Sequence, residues 1–453
     1  MSFMQPAFLS ENDHPSCRIR CPIHGFIRYS ENERQVIDHP LFRRLRYVKQ
    51  LALTELIYPG ATHTRFEHSL GVMYIATRVF DTLASKNGDL MEATFKEVAE
   101  FKKKPMARAR QLLRLAALLH DIGHASFSHA AEKVVNKGVG HEDLGVLIIR
   151  KPSLLGDLLD KLYGEGSSEI VAQIIEGKTL APQLGIMHDV ISGEMDADRT
   201  DYLLRDSYHC GVDYGRFDYR RMIECLELAK GKGNMPLLEI AINGDGIHTF
   251  EALILARYQM NTQVYYHRLR RIYDRYLIEY HRALGKEMPD TPEKVIRNND
   301  VTMMAQILRD AQHGQGDRKK WASRIADRNH HVLVFETGVN AEILDIQRTK
   351  DVHKALAERY SQYEILIDGD GEEDEVGIHK QLRRTDESPI GLHALKVIKR
   401  AGSPQPIGYE SQIISKIPHR FRCVRLYADL PRSDDKLRKQ VVKAASDEWL
   451  KRG

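Results

Sequence analysis

Nowhere in the 453 residues does an apolar stretch run unbroken for the length a bilayer demands, and the opening MSFMQPAFLSENDHPS carries no basic segment followed by an apolar run. A membrane span and a secretory leader drop out of the expectations, and a cytoplasmic address follows. Cysteine is sparse. Cys17, Cys21, Cys210, Cys225 and Cys423 lie scattered, an odd number that suits free thiols rather than a disulfide framework. Cys17 and Cys21 have no second cysteine pair with which to build a zinc clip. Charge of one sign is also scarce: a formal net charge of +4 on so long a chain forecasts no nucleic-acid or membrane partner, although a local basic cleft could still hold phosphate. Internal repeats and low-complexity tracts are missing too, which excludes solenoids and disordered arrays.

What remains is an ordinary globular balance, 42% apolar and 29% charged residues, in a chain long enough for two or three domains or for one helical body with an appendage. From about Asp38 to Tyr280 apolar residues recur at three and four, which reads as an all-α block. Thr64 and Glu67 form a capping-box pattern before Leu70, Val72, Met73, Ile75 and Val79, placing His68 in a first turn. A second helix, apolar on several sides from Leu112 to Leu119, runs straight into His120 and Asp121 and is expected at the centre of the bundle. A third, from about Asp196 to Asp206, sets Asp198, Tyr202 and Asp206 four apart on one face. Turn formers cluster around Gly285 to Pro292, and beyond them the β-like runs HVLVF (His331 to Phe335), EILI (Glu364 to Ile367) and RCVRLYA (Arg422 to Ala428) predict a mixed region. The fold class is thus mainly α, a helical bundle with a smaller α+β C-terminal region. The expected division is a tail over 1–18, the helical domain over 19–285 and an oligomerising or regulatory part over 286–453. The acidic segment Asp368 to Glu375 lacks the ligand register of an EF-hand and reads as a solvated loop.

The residues that carry chemistry are His68, His120, Asp121 and, much later, Asp198. Two imidazoles and two carboxylates form a mixed N/O set suited to Fe, Mn, Zn, Mg or Co, and without thiolates the set resembles a catalytic centre more than a structural clip. A lone histidine in a helix is more often a packed or surface side chain, and a lone His-Asp pair recurs by chance. The surroundings change that balance. HDIGHASFSH offers His120, Asp121, His124 and His129, with Glu132 one turn later and His141 opening HEDLG. So many titratable groups beside an apolar helix are costly to bury without partners or a task.

RFEHSLGV (Arg65 to Val72), HDIGHASFSH (His120 to His129) and DADRTDYLLRD (Asp196 to Asp206) resemble the three signatures of HD-domain deoxynucleoside triphosphate triphosphohydrolases. The approach FRRLRYVKQL and YPGATHTRFEHSLGV is similar as well, so the ordered likeness spans about Ile19 to Tyr273. The resemblance implies an HD-domain bundle that uses a divalent metal to cleave a dNTP into deoxynucleoside and inorganic triphosphate. By motif position it implies His68, His120, Asp121 and Asp198 as metal ligands. It implies His124, His129, Glu132 and His141 as the proton-handling group, with His129 serving the departing 5′-oxygen. Arg65, Arg199, Tyr202, Asp206 and Arg257 match positions that grip triphosphate and sugar, and Tyr265, His267, Gln50 and Leu51 match further pocket positions. Asp38 and Arg46 match positions that bind a guanine activator between subunits, which adds a nucleotide activator and a homo-oligomer, dimer or tetramer, to the expectations.

The sequence departs from the family pattern in places. Animal members carry lysine where Arg199 stands, NGDGIHT (Asn243 to Thr249) lacks the basic residues of a second activator site, and the few residues before Ile19 leave no room for a sterile-alpha-motif domain. Two rival functions stay open: an HD phosphohydrolase acting on a monophosphate, cyclic or second-messenger nucleotide, and a non-catalytic nucleotide or nucleic-acid binder.

Overall fold

The computed structural model describes residues 15–127, 140–178, 181–230, 237–285, 291–371, 374–379, 395–399 and 403–452. A short antiparallel hairpin opens the chain, Cys17–Cys21 against Gly25–Tyr29. The helix Arg65–Lys96 starts where the capping pattern places it, with the Thr64 N–H donating to Glu67 Oε1 at 3.1 Å. Its inward face buries Leu70, Val72, Met73, Ile75 and Val79. The helix Pro105–Leu119 packs alongside, and every residue from Leu112 to Leu119 is buried, as expected of a central helix. Its one charge there, Arg114, is satisfied by Glu33 through bonds of 2.6 and 2.9 Å. Helices His141–Arg150, Ser167–Glu176, Gly185–Ser192 and Ala197–Cys210 complete the bundle. The last is capped by Asp196, which accepts from the Arg199 N–H at 2.6 Å.

The reading of an unbroken helical block does not hold through residue 280. Leu226–Lys230 and Leu238–Asn243 pair as antiparallel strands, and Lys396–Ile398 adds in parallel beside the second. The apolar residues Leu238, Ile240 and Ile242 alternate with period two, but the run is short, and one partner strand arrives from about 150 residues downstream. Local periodicity cannot register such a neighbour.

All three C-terminal β-like runs do form strands, and they share one sheet. Arg425–Ala428 is central, antiparallel to Val332–Glu336 on one side and Ile365–Asp368 on the other. One face of this sheet packs with helices Ile343–Arg359 and Asp435–Leu450 through Val334, Val352, Leu356, Leu426 and Val441. The other face turns Tyr427 toward Tyr273 and Tyr276 of the helix Arg268–Leu284. In the acidic segment Asp368 to Glu375 two of the described residues turn inward rather than into solvent. Asp368 and Asp374 are both buried, and they bind Arg271 at 2.5 and 2.9 Å. A buried guanidinium requires such partners, and it draws the acidic segment inward. Among the described residues no helix is long and apolar enough to cross a membrane.

His281, on the helix Arg268–Leu284, is 2% exposed, and its Nε2 makes no hydrogen bond. Burial pushes its imidazole down to about 4. The unfolded chain protonates this residue near 6.5, so its contribution is complete above that pH and declines as the pH falls toward about 4. We expect a loss of roughly 3 kcal/mol across this window from His281 alone. Urea unfolding of wild type and His281→Phe at pH 7 and pH 4.5 checks this: the variant should lose less stability between the two.

Candidate functional site

Three helices deliver the central side chains. His68 comes from the first turn of Arg65–Lys96, His120 and Asp121 from the end of Pro105–Leu119, and Asp198 from the first turn of Ala197–Cys210. His68 Nε2 lies 3.0 Å from Asp198 Oδ1 and 3.6 Å from Asp121 Oδ2. His120 Nε2 lies 3.7 Å from Asp198 Oδ1 and 3.5 Å from Asp121 Oδ1. His68, His120 and Asp198 therefore converge, and Asp121 borders both imidazoles through its two oxygens.

The outer nitrogens explain the orientation. His68 Nδ1 faces Asp201 Oδ2 at 2.8 Å and His120 Nδ1 faces the Ala117 carbonyl at 2.9 Å. A carboxylate and a carbonyl only accept, so each Nδ1 carries a proton and each Nε2 is aimed at the common centre, where it would give its lone pair to a bound cation. Both Nε2 atoms are buried and form no aligned hydrogen bond. Ligand atoms of His68, His120 and Asp198 lie within 4.8 Å of one another, a spacing that could hold a cation, and the donor set suits a divalent ion. Asp121, His124 and His141 form a second such group. In that group, however, the two imidazoles stack face to face at 3.7 Å.

Electrostatics reinforce the arrangement. Burial opposes charge on His68, but Asp198, Asp201 and Asp121 overcome it and lift the imidazole to about 10 when no cation intervenes. Burial alone would raise Asp121; Arg65, 2.6 Å away, with His120 and His124, holds it well below the usual carboxylate range. His124 goes the other way: burial, Arg65 and His141 push it well below 6.5, so it remains neutral at pH 7.

Behind the centre sits Asp201, which also accepts from His24 Nε2 at 2.6 Å and from Arg205 Nε and Nη2 at 2.8 Å. Gly71 makes room for this cluster, since a Cβ there would lie 1.9 Å from Asp201 Oδ1. The turn after His120 is fastened separately. Arg44 donates to the carbonyls of Ile122 and His124 at 2.8 and 2.7 Å, Asn298 accepts from the Ser126 N–H at 2.6 Å, and Asp300 accepts from the Phe127 N–H at 2.8 Å. Gly123 lets the helix His141–Arg150 approach this turn, because a Cβ would lie 2.0 Å from the His141 carbonyl oxygen.

A cavity of about 560 Å³ opens over the centre, lined by Arg65, His120, Asp121, His124, His141 and Asp198 at one end, with Gln50, Leu51, Tyr202, Asp206 and Tyr265 further along. Asp206 accepts from Tyr265 Oη at 2.7 Å and lies 2.7 Å from His63 Nε2. His68 is buried beneath this wall. Arg199 binds the Gly193 carbonyl and Asp196, Arg257 donates to the Ile378 carbonyl at 2.8 Å, and His267 caps its helix; none of the three lines the cavity. His129 and Glu132 lie outside the described residues. Arg46 covers the Phe66 ring at 3.5 Å and lines a separate cavity of about 230 Å³, whereas exposed Asp38 does not line it.

Residues 65–206 match the model of the HD domain, and residues 217–388 match that of the HD associated region. The chain contains an HD domain followed by an HD associated region. Metal-dependent phosphohydrolysis is the chemistry of this superfamily, and the His/Asp centre lies within the matched HD domain. The chain is 37% identical over 297 residues to an uncharacterised protein of Methanocaldococcus jannaschii, covering 64% of this chain and 54% of that one. It is 28% identical over 255 residues to the deoxynucleoside triphosphate triphosphohydrolase SAMHD1 homolog of Dictyostelium discoideum, covering 54% of this chain and 45% of that one. The HD chain thus spans about half the length of the curated relatives it matches. The crystal structure of a hypothetical protein from Aquifex aeolicus aligns with a TM-score of 0.72 at 28% identity, covering 95% of this chain and 99% of that one.

Sequence reasoning passed over Asp201, His24, His63, Arg44 and Asp300. Asp201 stands four residues before Arg205, a pattern that signals a helical ion pair. His24 and Asp300 gave no local signal. Replacing Asp201 with Asn removes the charge that orients His68, and we expect divalent-metal affinity to fall roughly tenfold to a hundredfold. Metal titration by calorimetry, with circular dichroism to check the fold, measures this; unchanged affinity would show that Asp201 does not tune the centre.

Proposed function

We propose that this HD-domain chain hydrolyses deoxynucleoside triphosphates to deoxynucleoside and inorganic triphosphate. The observation that carries the reading is the single cavity, which joins the His68, His120, Asp121 and Asp198 centre to the wall of Tyr202, Asp206 and Tyr265. The name of the Dictyostelium relative points to the same substrate class. His68, His120, Asp121 and Asp198 would hold the metal: Fe, Mn, Mg, Zn or Co. A divalent ion there would lower the pKa of water and offset charge on the phosphoryl oxygens.

The chain's own groups supply the rest. His124, neutral at pH 7, stacks on His141, and the two are assigned to proton handling beside the centre. His129, supported by Glu132, is assigned the proton delivered to the departing 5′-oxygen. Arg65, Arg199 and Arg257 balance the triphosphate charge through paired donors. Arg199 and Arg257 already bond to protein carbonyls, so they would turn from those partners to reach a ligand.

Asp206 has lone pairs left for a sugar 3′-hydroxyl, while Tyr202 crowds the 2′ position. Burial and Asp206 hold the Tyr265 hydroxyl well above its usual 10, so it stays a donor to that carboxylate. Gln50 and Leu51, which line the cavity, are assigned places beside the sugar, and His267, which caps its own helix, is assigned to the same pocket. A homo-oligomer, and a nucleotide activator near Asp38 and Arg46, belong to the same proposal.

Chromatography of products from each of the four dNTPs, with Mn²⁺, Mg²⁺, Fe²⁺ and Co²⁺ in turn, should give deoxynucleoside and intact triphosphate. Asp121→Asn should lower the rate by about a thousandfold, the scale of several kcal/mol of lost transition-state stabilisation. Release of orthophosphate or pyrophosphate instead, or full activity in the variant, would overturn the reading.

A further inference from the structure

Two segments beside the cavity carry strained backbone, and one carboxylate of the HD associated region binds both. Among the described residues Ala52, Phe127 and Arg328 are the non-glycine positions in the left-handed region, the first two at φ +48° and +56°. Phe127 lies three residues after His124 on the turn that follows His120, and Ala52 directly follows Gln50 and Leu51, which line the cavity. Such a conformation persists only where its surroundings over-determine it, and it clusters beside functional groups.

Asp300 supplies the constraint. This buried residue is the first of the helix Asp300–His313, which Asn299 caps by accepting from the Val301 and Thr302 N–H groups at 3.0 and 3.1 Å. Its Oδ1 accepts from the Phe127 N–H at 2.8 Å and its Oδ2 from the Lys49 N–H at 3.0 Å. Two residues earlier, Asn298 Oδ1 accepts from the Ser126 N–H at 2.6 Å, and the Asn298 carbonyl accepts from Arg44 Nη1 at 3.1 Å. The same Nη1 donates to the His124 carbonyl at 2.7 Å. Phe127, Ala52, Leu53 and Ile307 of that helix pack in one apolar cluster. The carboxylate is therefore the polar joint of three segments that share a core.

We propose that Asp300 is a positioning residue for hydrolysis: with one oxygen on the His124 turn and the other on the segment 49–52, it fixes the proton-handling imidazole relative to the wall of Gln50 and Leu51. This role rests on the hydrolysis proposed above, whichever nucleotide is cleaved. Only an ionised carboxylate serves both N–H groups, because an amide or a protonated acid turns a donor toward one of them. His68 and His120 are oriented elsewhere, by Asp201 and by the Ala117 carbonyl, so the effect falls on the chemistry and spares the cation. The charged groups facing Asp300 are Lys49, itself paired with Glu55, and Arg65 and Arg44. Burial outweighs these cations and the two N–H donors, and raises the carboxyl to about 6. Above that pH it serves both segments; as the pH falls through it, one bond is lost.

In Asp300→Asn, kcat for the dNTP that wild type cleaves fastest should drop roughly tenfold to a hundredfold at about pH 8, the scale of a small displacement of a reacting group. Mn²⁺ affinity by calorimetry and the circular dichroism spectrum should not change. The ratio of wild-type to variant kcat should shrink toward one between about pH 8 and about pH 5, because wild type loses the second bond by titration and the amide never had it. Titration of the shared centre cancels in that ratio, and a merely structural role would leave the ratio flat. Asn298→Ala, which removes the Ser126 acceptor and leaves Asp300 ionisable, should lower kcat by a factor that does not vary with pH. A flat ratio for Asp300→Asn, wild-type kcat in either variant, or weakened Mn²⁺ binding would overturn the assignment. Should Asp300→Asn not fold, Asn298→Ala decides: wild-type kcat there overturns the role, and a lowered kcat with intact Mn²⁺ binding supports it. Release of a product other than triphosphate would end the dNTP reading and leave Asp300 in its role, whereas turnover of no nucleotide would end both.

Discussion

Everything in the centre depends on compensated charge in a closed interior. His68, Asp121, Asp201 and Arg205 are each nearly or wholly inaccessible, and isolated ions in that position would be prohibitively costly. Asp201 resolves the conflict by accepting from two imidazoles and both arms of a guanidinium, and Asp121 does so by facing Arg65, His120 and His124. The arrangement fits only because glycine stands at position 71, where a side chain would collide with the Asp201 carboxylate. Orientation of the two inward nitrogens is a by-product of the same pairing, so stability and chemistry share one set of bonds.

The HD domain does not build its cavity unaided. The turn after His120 hangs from Arg44 on one side and from Asn298 and Asp300 on the other, and the latter two lie within the HD associated region. Asp300 also accepts from the Lys49 N–H at 3.0 Å, tying the segment that carries Gln50 and Leu51 to the turn that carries His124. Burial raises the Asp300 carboxyl to about 6, against those two N–H donors. The cavity wall likewise depends on a strand end, since Asp368 anchors Arg271 and both residues line it. Regions separated by hundreds of residues thus share the walls of one chamber.

Much of this was legible beforehand where the signal is local. The Thr64/Glu67 cap, the apolar run into His120 and Asp121, and the three C-terminal strands all follow from short-range patterns of capping, periodicity and β-branching. The misreadings were non-local. Leu238–Asn243 is a strand partly because Lys396–Ile398 lies beside it, and Asp368 and Asp374 are buried where they meet Arg271. His24 and His63 gain their partners Asp201 and Asp206 only when the chain folds.

The sequence by itself determined which side chains were available for chemistry and which helix ends would carry them, because capping and amphipathic spacing act within a few residues. Only the tertiary structure decided which of them share a point and which nitrogen of each imidazole faces inward. Those outcomes depend on burial and on partners brought from distant segments, and neither quantity exists in a chain that has not yet folded.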